Sequence, residues 1–388
     1  MLRNETEELE DINSMRIIIT GGGTGGHLFP GIALATALQR KYSGCEILFI
    51  GTQRQLDKKT LAGFDFQQES ISCMGLKGMG LKHRIKSLLS LPVAVLESWK
   101  IIQRFQPDLV FGVGGYVTGP VLLAARLRSV PTCIHEQNSI PGLANRIISH
   151  FVTRIFISIP GEYPFPEQKT VVSGNPVRQE ILAAAERRQQ EAEQEAGNGK
   201  TDSGKADSPM TLLIMGGSLG AHRINMLMLD VAAQLSKEQK KAVQLIHQTG
   251  TADEEKVRDG YAAAGVKAEV RAFFTDMASL YSQADLVLAR AGATSLAELS
   301  VMGLPAVLVP YPYAADDHQA RNAEYYVAGG GAVMYRESAL DVELLGKILW
   351  QLLGDIDKLK QMARAMKNMG QPRATQRILD SCMGLIDN

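Results

Sequence analysis

The chain alternates between short apolar runs, rich in β-branched residues, and longer stretches with helical periodicity. The first half has predicted strands at Arg16–Thr20, Glu46–Ile50, up to Ser70, Asp108–Phe111, Pro131–Ile134, Arg154–Ser158 and Thr170–Ser173. The second half has them at Thr211–Met215, Val243–His247, Ala268–Arg271, Asp285–Ala289 and Pro305–Val309. Three predicted helices, Leu340–Leu353, Lys358–Lys367 and Arg373–Met383, close the chain. This alternation predicts two doubly wound, Rossmann-like α/β domains with mostly parallel sheets.

A glycine-rich turn follows the first strand of each half. Gly21–His27 and Gly216–His222 share the spacing of three glycines and a histidine. Such a turn before a helix favours an anion, because backbone N–H groups point at the ligand. The first turn also fits the letters of the dinucleotide fingerprint, but Gly51–Gln53 stands where an acidic residue would bind the ribose. Arg54 keeps an NADP-dependent oxidoreductase open as an alternative.

Composition narrows the classes of partner. The 388 residues include 41 basic and 41 acidic ones, so no global field favours nucleic acid. The four cysteines lack metal-ligand spacing, which indicates reduced thiols in a cytoplasmic protein. No apolar run reaches the roughly 18 residues of a membrane span, and the acidic residues 1–14 predict a short disordered tail rather than a signal peptide.

Residues 75–105 interleave cations with apolar residues, a pattern that suits an anionic membrane surface. The alternative is a glycine loop followed by a core helix. The candidate membrane residues are Leu76, Lys77, Leu81, Lys82, Arg84, Lys86 and Trp99.

Polar residues cluster where predicted strands end, which is where open α/β sheets bind ligands. Gly112–Pro120 is a further glycine turn, and His135–Asn138 is either part of a site or a polar loop that caps the helix after Pro141. In Arg290–Ser300, Glu298 either forms a capping box with Ser295 or accepts hydrogen bonds from a ribose beside a phosphate-binding helix start.

Two further segments are ambiguous. Asp316–Gln319 offers two carboxylates and a histidine, but adjacent aspartates before a helix more often cap it, so we expect no metal. Residues 183–209 contain no aliphatic side chain larger than alanine after Ala183, which predicts a helix that frays into a flexible polar segment. That segment is either the connection between the domains or an insertion in the second one.

Taken together, the motifs resemble those of the MurG glycosyltransferases in order and approximate spacing, over about residues 15–385. They are Gly21–Gly31, Gly112–Pro120, His135–Asn138, Gly174–Arg178, Gly216–Ala221, Arg290–Glu298 and Asp317–Asn322. The resemblance implies a GT-B fold, with two domains that face a central cleft. It implies an inverting transfer of N-acetylglucosamine from UDP-GlcNAc to the C4 hydroxyl of MurNAc in lipid I, which makes lipid II for peptidoglycan. It implies no cofactor, a peripheral place at the cytoplasmic face of the inner membrane, and other cell-wall synthesis proteins as possible partners in cell shape and division.

The resemblance also assigns regions and residues. It implies an acceptor and membrane-facing domain at 15–177, onto which a C-terminal helix at about 370–388 packs back, and a UDP-GlcNAc domain at 178–369. The donor contacts it implies are Thr24, Gly25, Gly26, Asn138, Arg178, Ser218, the main chain of Phe274, Ala293, Thr294, Ser295, Leu296, Ala297, Glu298, His318 and Gln319. For the acceptor diphosphate it implies Gly22, Gly23, Gly114, Gly115 and Tyr116.

The transfer needs a base for the acceptor hydroxyl and positive potential at the departing diphosphate. We expect His27 to be that base and Glu136 to be the alternative, because an imidazole titrates near neutral pH whereas a carboxylate would need a raised pKa. Two other functions stay open: a UDP-GlcNAc epimerase of the same fold, and a non-catalytic sensor of nucleotide sugars.

Overall fold

The computed structural model describes residues 15–22, 25–52, 61, 63–64, 66–73, 81–197, 208–217 and 220–386. For Gly25, for residues 81–89 and for residues 195–197 it describes the backbone alone. The predicted tail 1–14, the residues Gly23, Thr24, Leu76, Lys77 and Ser218, and the stretch 198–207 lie outside the described residues. The chain divides into two compact units, one formed by the chain up to Arg178 together with the segment from Pro372 onward, the other by Gln179–Gln371.

The first unit is a seven-stranded parallel sheet with the order β3-β2-β1-β4-β5-β6-β7. Its strands are β1 Arg16–Thr20, β2 Glu46–Gly51, β3 Gln67–Ser70, β4 Leu109–Gly112, β5 Thr132–Glu136, β6 Arg154–Ile157 and β7 Thr170–Val172. Its helices are α1 Gly25–Lys41, α2 Leu81–Phe105, α3 Thr118–Leu127 and α4 Leu143–Ile148, with a 3₁₀ turn at Glu167–Lys169.

Both faces of this sheet are buried, as a continuous apolar run in a parallel sheet requires. Ile17 and Ile19 enter one core cluster, while Ile18 enters the cluster on the opposite face. The last helix of the chain, α14 Ala374–Ile386, contributes Ile378 to the first cluster and lies against α1.

The second unit is a six-stranded parallel sheet with the order β10-β9-β8-β11-β12-β13. Its strands are β8 Met210–Met215, β9 Val243–Gln248, β10 Ala268–Arg271, β11 Leu286–Ala289, β12 Ala306–Leu308 and β13 Ala332–Met334. Its helices are α5 Gln179–Gly197, α6 His222–Ala233, α7 Lys237–Ala242, α8 Glu254–Ala264, α9 Met277–Gln283, α10 Ala293–Met302, α11 His318–Ala328, α12 Val342–Leu353 and α13 Ile356–Asn368. Two 3₁₀ turns lie at Ala315–Asp317 and Glu337–Ala339.

The prediction of two doubly wound α/β domains is confirmed, and the predicted strands agree with the observed ones within one or two residues at each end. The strand at Ala332–Met334 was not predicted. The helical part of the 183–209 prediction is confirmed by α5, which runs to Gly197. Within the described residues, no helix has the length and apolar character to cross a bilayer.

Candidate active site

The glycine turns that follow β1 and β4 lie against each other at the carboxyl end of the first sheet. Gly22, Gly114 and Gly115 all have positive φ, at 148°, 99° and 89°. A Cβ on Gly115 would lie 2.7 Å from the carbonyl oxygen of Gly22, and a Cβ on Gly114 would lie 2.9 Å from Nδ1 of His27. Only glycine allows both the backbone angles and this close approach. The structure therefore brings the described part of the predicted acceptor set together with His27.

His27 lies in the first turn of α1, half-buried, with one ring nitrogen engaged. Its Nδ1 is 3.1 Å from Oε1 of Gln137, which follows β5. Nε2 of Gln137 donates to the carbonyl oxygen of Val113 at 2.9 Å. Gln137 thus connects His27, in the turn after β1, to Val113, which precedes Gly114 in the turn after β4.

His135 is part of β5 rather than of a loop, so the polar-loop interpretation of 135–138 is wrong for its first two residues. The ring is fully buried, and its Nε2 lies 3.1 Å from the carbonyl oxygen of Gly174 and 3.0 Å from Oγ of Ser158. These partners compensate the cost of burying a polar ring. Burial lowers the pKa of His135 to about 4, so the ring is neutral near pH 7.

Glu136 is buried beside His135, and its carboxylate accepts four hydrogen bonds. Oε1 accepts from the backbone N–H of Asn138 at 3.0 Å and from its Nδ2 at 3.3 Å. Oε2 accepts from the N–H of Gly142 at 3.1 Å and from Nδ2 of Asn145 at 2.8 Å. This carboxylate therefore fixes the loop between β5 and α4, which favours His27 over Glu136 as the base. The N-cap of α4 is Gly142, so the prediction that the N-cap lies within 135–138 is wrong.

Asn138, Tyr116 and Arg178 are also half-buried in the first unit. The carbonyl oxygen of Asn138 accepts from the hydroxyl of Tyr163 at 3.0 Å. The guanidinium of Arg178 lies 4.9 Å from the ring centroid of Phe29, two residues beyond His27 on α1. A guanidinium over an aromatic ring gains a cation–π interaction, and the planar group suits phosphate recognition.

The predicted phosphate cradle of the second unit is the first turn of α10, after β11. Gly292 is its N-cap without a side-chain hydrogen bond, so the capping box between Ser295 and Glu298 is wrong. Leu296 makes the first helical bond, to the carbonyl oxygen of Gly292 at 3.0 Å. Ala293–Ser295 thus form the first turn of α10, and the N-terminus of a helix is the arrangement that suits an anion.

Glu298 lies one turn further along α10 and is 4% exposed. Its Oε2 accepts a hydrogen bond from the hydroxyl of Tyr281 at 2.9 Å. Tyr281 is fully buried on α9, so its position is fixed by packing. This contact orients the carboxylate predicted to bind ribose.

Gln248 is buried and links the glycine turn after β8 to Phe274. Oε1 of Gln248, the last residue of β9, accepts from the backbone N–H of Phe274 at 3.1 Å, and its Nε2 donates to the carbonyl oxygen of Gly217 at 3.3 Å. The backbone N–H of Phe274, a residue that the resemblance assigns to the donor, is therefore engaged by Gln248.

His318 and Gln319 begin α11. Nδ1 of His318 donates to the carbonyl oxygen of Ala315 at 2.8 Å, and Oε1 of Gln319 accepts from the N–H of Tyr311 at 2.9 Å. This bond fixes the orientation of the Gln319 amide. Nδ2 of Asn322 donates to the carbonyl oxygen of Ala291 at 3.3 Å, which attaches α11 to the turn before α10.

Asp317 is the N-cap residue of α11, as predicted, but its side chain makes no capping hydrogen bond. Asp316 and Asp317 both have φ of 54°, and the carboxylate of Asp317 pairs with the guanidinium of Arg336 through two contacts of 2.6 Å. That guanidinium competes for the oxygens that a cap would need. Among the described residues, no three His, Cys, Asp or Glu side chains lie close enough to share a metal ion.

The candidate membrane residues have described side chains only at Trp99. Trp99 is half-buried against the core, and the guanidinium of Arg128 lies 5.0 Å from its ring centroid. Exposed apolar side chains instead occur on α2, α3 and α4, which pack together in sequence order. They are Val93, Leu96, Leu123, Leu127, Leu143 and Ile147.

Sequence reasoning named Gln137 only as a member of the motif His135–Asn138, without a role, and it missed Gln248 and Tyr281, which also fix the site. The two glutamines stand where a strand ends beside a glycine turn, a position that signals them once the strands are placed correctly. Tyr281 gives no such signal, because an aromatic residue in a short helix usually belongs to the core.

Comparison with known proteins agrees with this geometry. Residues 17–157 match the N-terminal domain of glycosyltransferase family 28, and residues 211–378 match its C-terminal domain. The chain is 43% identical over 380 residues to a protein of Desulfotalea psychrophila, covering 98% of this chain and 99% of that one. It is 41% identical to a protein of Geobacter metallireducens, covering 95% and 98%. Both are named UDP-N-acetylglucosamine–N-acetylmuramyl-(pentapeptide) pyrophosphoryl-undecaprenol N-acetylglucosamine transferase.

Solved structures give the same answer for the fold. The crystal structure of MurG from Acinetobacter baumannii aligns with a TM-score of 0.74 at 30% identity, covering 95% of this chain and 99% of that one. A UDP-GlcNAc 2-epimerase from Neisseria meningitidis aligns with a TM-score of 0.65 at 15% identity, which shows a shared fold alone. The GT-B prediction is confirmed, and the chain belongs to the MurG family of glycosyltransferases.

Proposed function

We propose that this protein transfers N-acetylglucosamine from UDP-GlcNAc to the C4 hydroxyl of MurNAc in lipid I, which yields lipid II for peptidoglycan synthesis. The observation that carries the proposal is identity of 43% over 98% of the chain to a protein named as this transferase. The hydroxyl oxygen forms a bond to the anomeric carbon, and the bond from that carbon to UDP breaks. The electron pair leaves with the diphosphate, and the hydroxyl proton passes to a base.

The second unit would hold the donor. The N–H groups of Ala293–Ser295 suit the diphosphate, and Glu298 suits the ribose hydroxyls, because a carboxylate makes strong hydrogen bonds to them. Gln319 has an oriented amide nitrogen for the sugar. The helix N-terminus would stabilise the negative charge that develops on the leaving group.

The first unit would hold the acceptor. Gly22, Gly114 and Gly115 bring backbone close to His27, which suits a diphosphate beside the reacting sugar. His27 is the proposed base, and Arg178 beside Phe29 is a further cation for phosphate. Glu136 is proposed to hold the loop rather than to take the proton.

Incubation with radiolabelled UDP-GlcNAc and a lipid I analogue tests the reaction. We expect label in a disaccharide lipid only when both substrates are present. Release of UDP without acceptor, together with a 2-epimer of the sugar, would instead indicate the epimerase. UDP binding with no product under any condition would indicate a sensor.

We propose further that the apolar residues of α2, α3 and α4 contact an anionic membrane at the cytoplasmic face of the inner membrane, where other cell-wall synthesis proteins are candidate partners. Leu123 and Leu127 lie one turn apart on α3, and Leu143 and Ile147 lie one turn apart on α4, so each pair shares a helix face. The double variant Leu127→Glu with Ile147→Glu should lose sedimentation with phosphatidylglycerol vesicles while it keeps turnover of a water-soluble acceptor. Sedimentation equal to that of the unmodified protein would refute this surface.

A further inference from the structure

The hydrogen bonds around Gln137 allow one assignment of donors and acceptors. The side chain is 2% exposed, and one end of its amide lies 2.9 Å from the carbonyl oxygen of Val113, which can only accept. That end is therefore the nitrogen. The other end, the oxygen, lies 3.1 Å from Nδ1 of His27 and can itself only accept. Nδ1 of His27 must then carry a proton.

The contacts of His135 lead to the same assignment of nitrogen and oxygen in the Gln137 amide. The amide nitrogen of Gln137 also lies 3.1 Å from Nδ1 of His135, while Nε2 of His135 lies 3.1 Å from the carbonyl oxygen of Gly174. The carbonyl requires an N–H at Nε2, so the neutral ring accepts at Nδ1. Burial lowers the pKa of His135 to about 4, which keeps a competing proton off Nδ1 near pH 7. Donation thus runs in one direction, from Nδ1–H of His27 through Gln137 and His135 to the carbonyl oxygen of Gly174.

We propose that Gln137 is a positioning residue that holds neutral His27 in the Nδ1–H tautomer, so that the lone pair lies on Nε2 and can take the proton of the acceptor hydroxyl. The base role of His27 rests on the proposed function, whereas the tautomer does not. After the transfer the proton is on Nε2, Nδ1–H still donates to Gln137, and the imidazolium returns the Nε2 proton to solvent. Which ring nitrogen is protonated is set by the bond that the other one makes.

The test uses two variants that differ in one respect. Gln137→Met and Gln137→Glu both lose the N–H groups that bind Val113 and His135, but only glutamate keeps an oxygen acceptor for Nδ1 of His27. The readout is the ¹⁵N spectrum of the labelled histidines, with the His27 signals assigned by their loss in His27→Gln. The unmodified protein and Gln137→Glu should show the proton on Nδ1. Gln137→Met should shift towards the Nε2–H form that histidine prefers in water.

Kinetics provide the second readout. In Gln137→Met the turnover number should fall on the order of tenfold, because part of the general-base contribution is lost, and KM for UDP-GlcNAc should stay within about twofold. Thr132→Val is the control, since it removes a buried hydroxyl of the same strand that accepts from the N–H of Thr153 at 3.3 Å. It should keep both the tautomer and the turnover number within about twofold.

The outcomes separate the two ideas. An Nδ1–H signal in Gln137→Met equal to that of the unmodified protein would overturn the positioning role, even if the transfer reaction is confirmed. Loss of that signal in Gln137→Glu would also overturn it, and this holds even if the methionine variant does not fold. A wild-type turnover number in His27→Gln, with the tautomer as predicted, would remove the base assignment but not the hydrogen-bond chain.

Discussion

The glycine turns Gly21–His27 and Gly216–His222 share one motif, and each ends in a histidine. The two histidines contact different partners. His27 follows β1 and meets the neutral amide of Gln137, which reaches it from β5. His222 follows β8 and meets the carboxylate of Asp253, which reaches it from beyond β9 at 2.9 and 3.0 Å. An amide orients a ring without charge, whereas a carboxylate stabilises the imidazolium. The repeated motif therefore predicts the position of each histidine. The side chain that contacts the ring, Gln137 or Asp253, determines its chemical role.

The carboxylate of Asp253 is itself part of a structural network. Burial alone would raise its pKa, but hydrogen bonds from Asn225 and His222, with the charges of His222 and Lys256, hold the pKa below its ordinary value. Asn225 donates to Asp253 at 2.7 Å, and its oxygen lies 3.0 Å from Nε2 of the buried His247. His222 has a side chain 72% exposed and stands at the edge of this network.

The largest expected difference between the two histidines is catalytic. His27→Ala should lower the turnover number by roughly 10²- to 10⁴-fold, the usual contribution of a general base. His222→Ala should change it by less than about threefold, because Asp253 keeps its bond to Asn225. Single-turnover rates at saturating UDP-GlcNAc measure both. Equal losses in the two variants would mean that the partners do not distinguish the histidines.

The next prediction tests whether the second unit, rather than the first, binds the ribose of the donor. Glu298→Gln keeps an acceptor for Tyr281 but loses the charge, so KM for UDP-GlcNAc should rise about tenfold, as the loss of roughly 1.5 kcal/mol from a charged hydrogen bond implies. Tyr281→Phe should raise it about threefold, since the carboxylate loses its orientation. Turnover at saturating donor should stay within about threefold for both. A Glu298→Gln protein with normal donor affinity would contradict the ribose assignment.

Each unit also buries one neutral histidine, and this predicts a shared weakness in acid. Burial lowers the pKa of His135 to about 4 and that of His247 to about 3, against about 6.5 in the unfolded chain. Between these values only the unfolded state binds the proton, so stability falls as the pH falls below about 6.5. From pH 7 to pH 5 each histidine should cost about 2 kcal/mol.

Hydrogen exchange at pH 7 and pH 5 would assign this cost to each unit, with β5 reporting on His135 and β9 on His247. His247→Gln should remove the acid sensitivity of β9 and leave that of β5. Unchanged sensitivity of β9 in that variant would show that another group is responsible.

The sequence predicted the architecture well because period and composition are local properties. The run at Arg16–Thr20 and its counterparts could be assigned to strands without any knowledge of the sheet order. It also placed His27 at a glycine turn, since Gly21–His27 is contiguous. What it could not predict is which side chain reaches the ring, because Gln137 is 110 residues away along the chain.

The two interpretations that placed capping side chains at Ser295–Glu298 and at Asp317 fail for one physical reason. The capping box at Ser295–Glu298 and the side-chain cap at Asp317 are valid local patterns, but tertiary partners compete for the same oxygen atoms. Tyr281 binds Glu298, and Arg336 binds Asp317. A partner that is distant in sequence therefore overrides a local motif, and only the packed structure identifies it.

The smallest expected effect comes from giving His222 the same kind of partner that His27 has. Asp253→Asn gives His222 a neutral amide partner, as Gln137 does for His27, and retains one acceptor oxygen for the two donors. The variant should lose about 1 kcal/mol of stability at pH 7, the net contribution of a typical hydrogen bond, and keep its turnover number. Because the pKa of Asp253 is lowered in the folded state, this stabilisation is present above the unfolded pKa of about 3.9 and lost as pH falls through the folded value. Urea midpoints of the two proteins should therefore differ at pH 7 and converge near pH 3. A difference that persists in acid would show that packing at Asp253, rather than its charge, distinguishes the surroundings of His222 from those of His27.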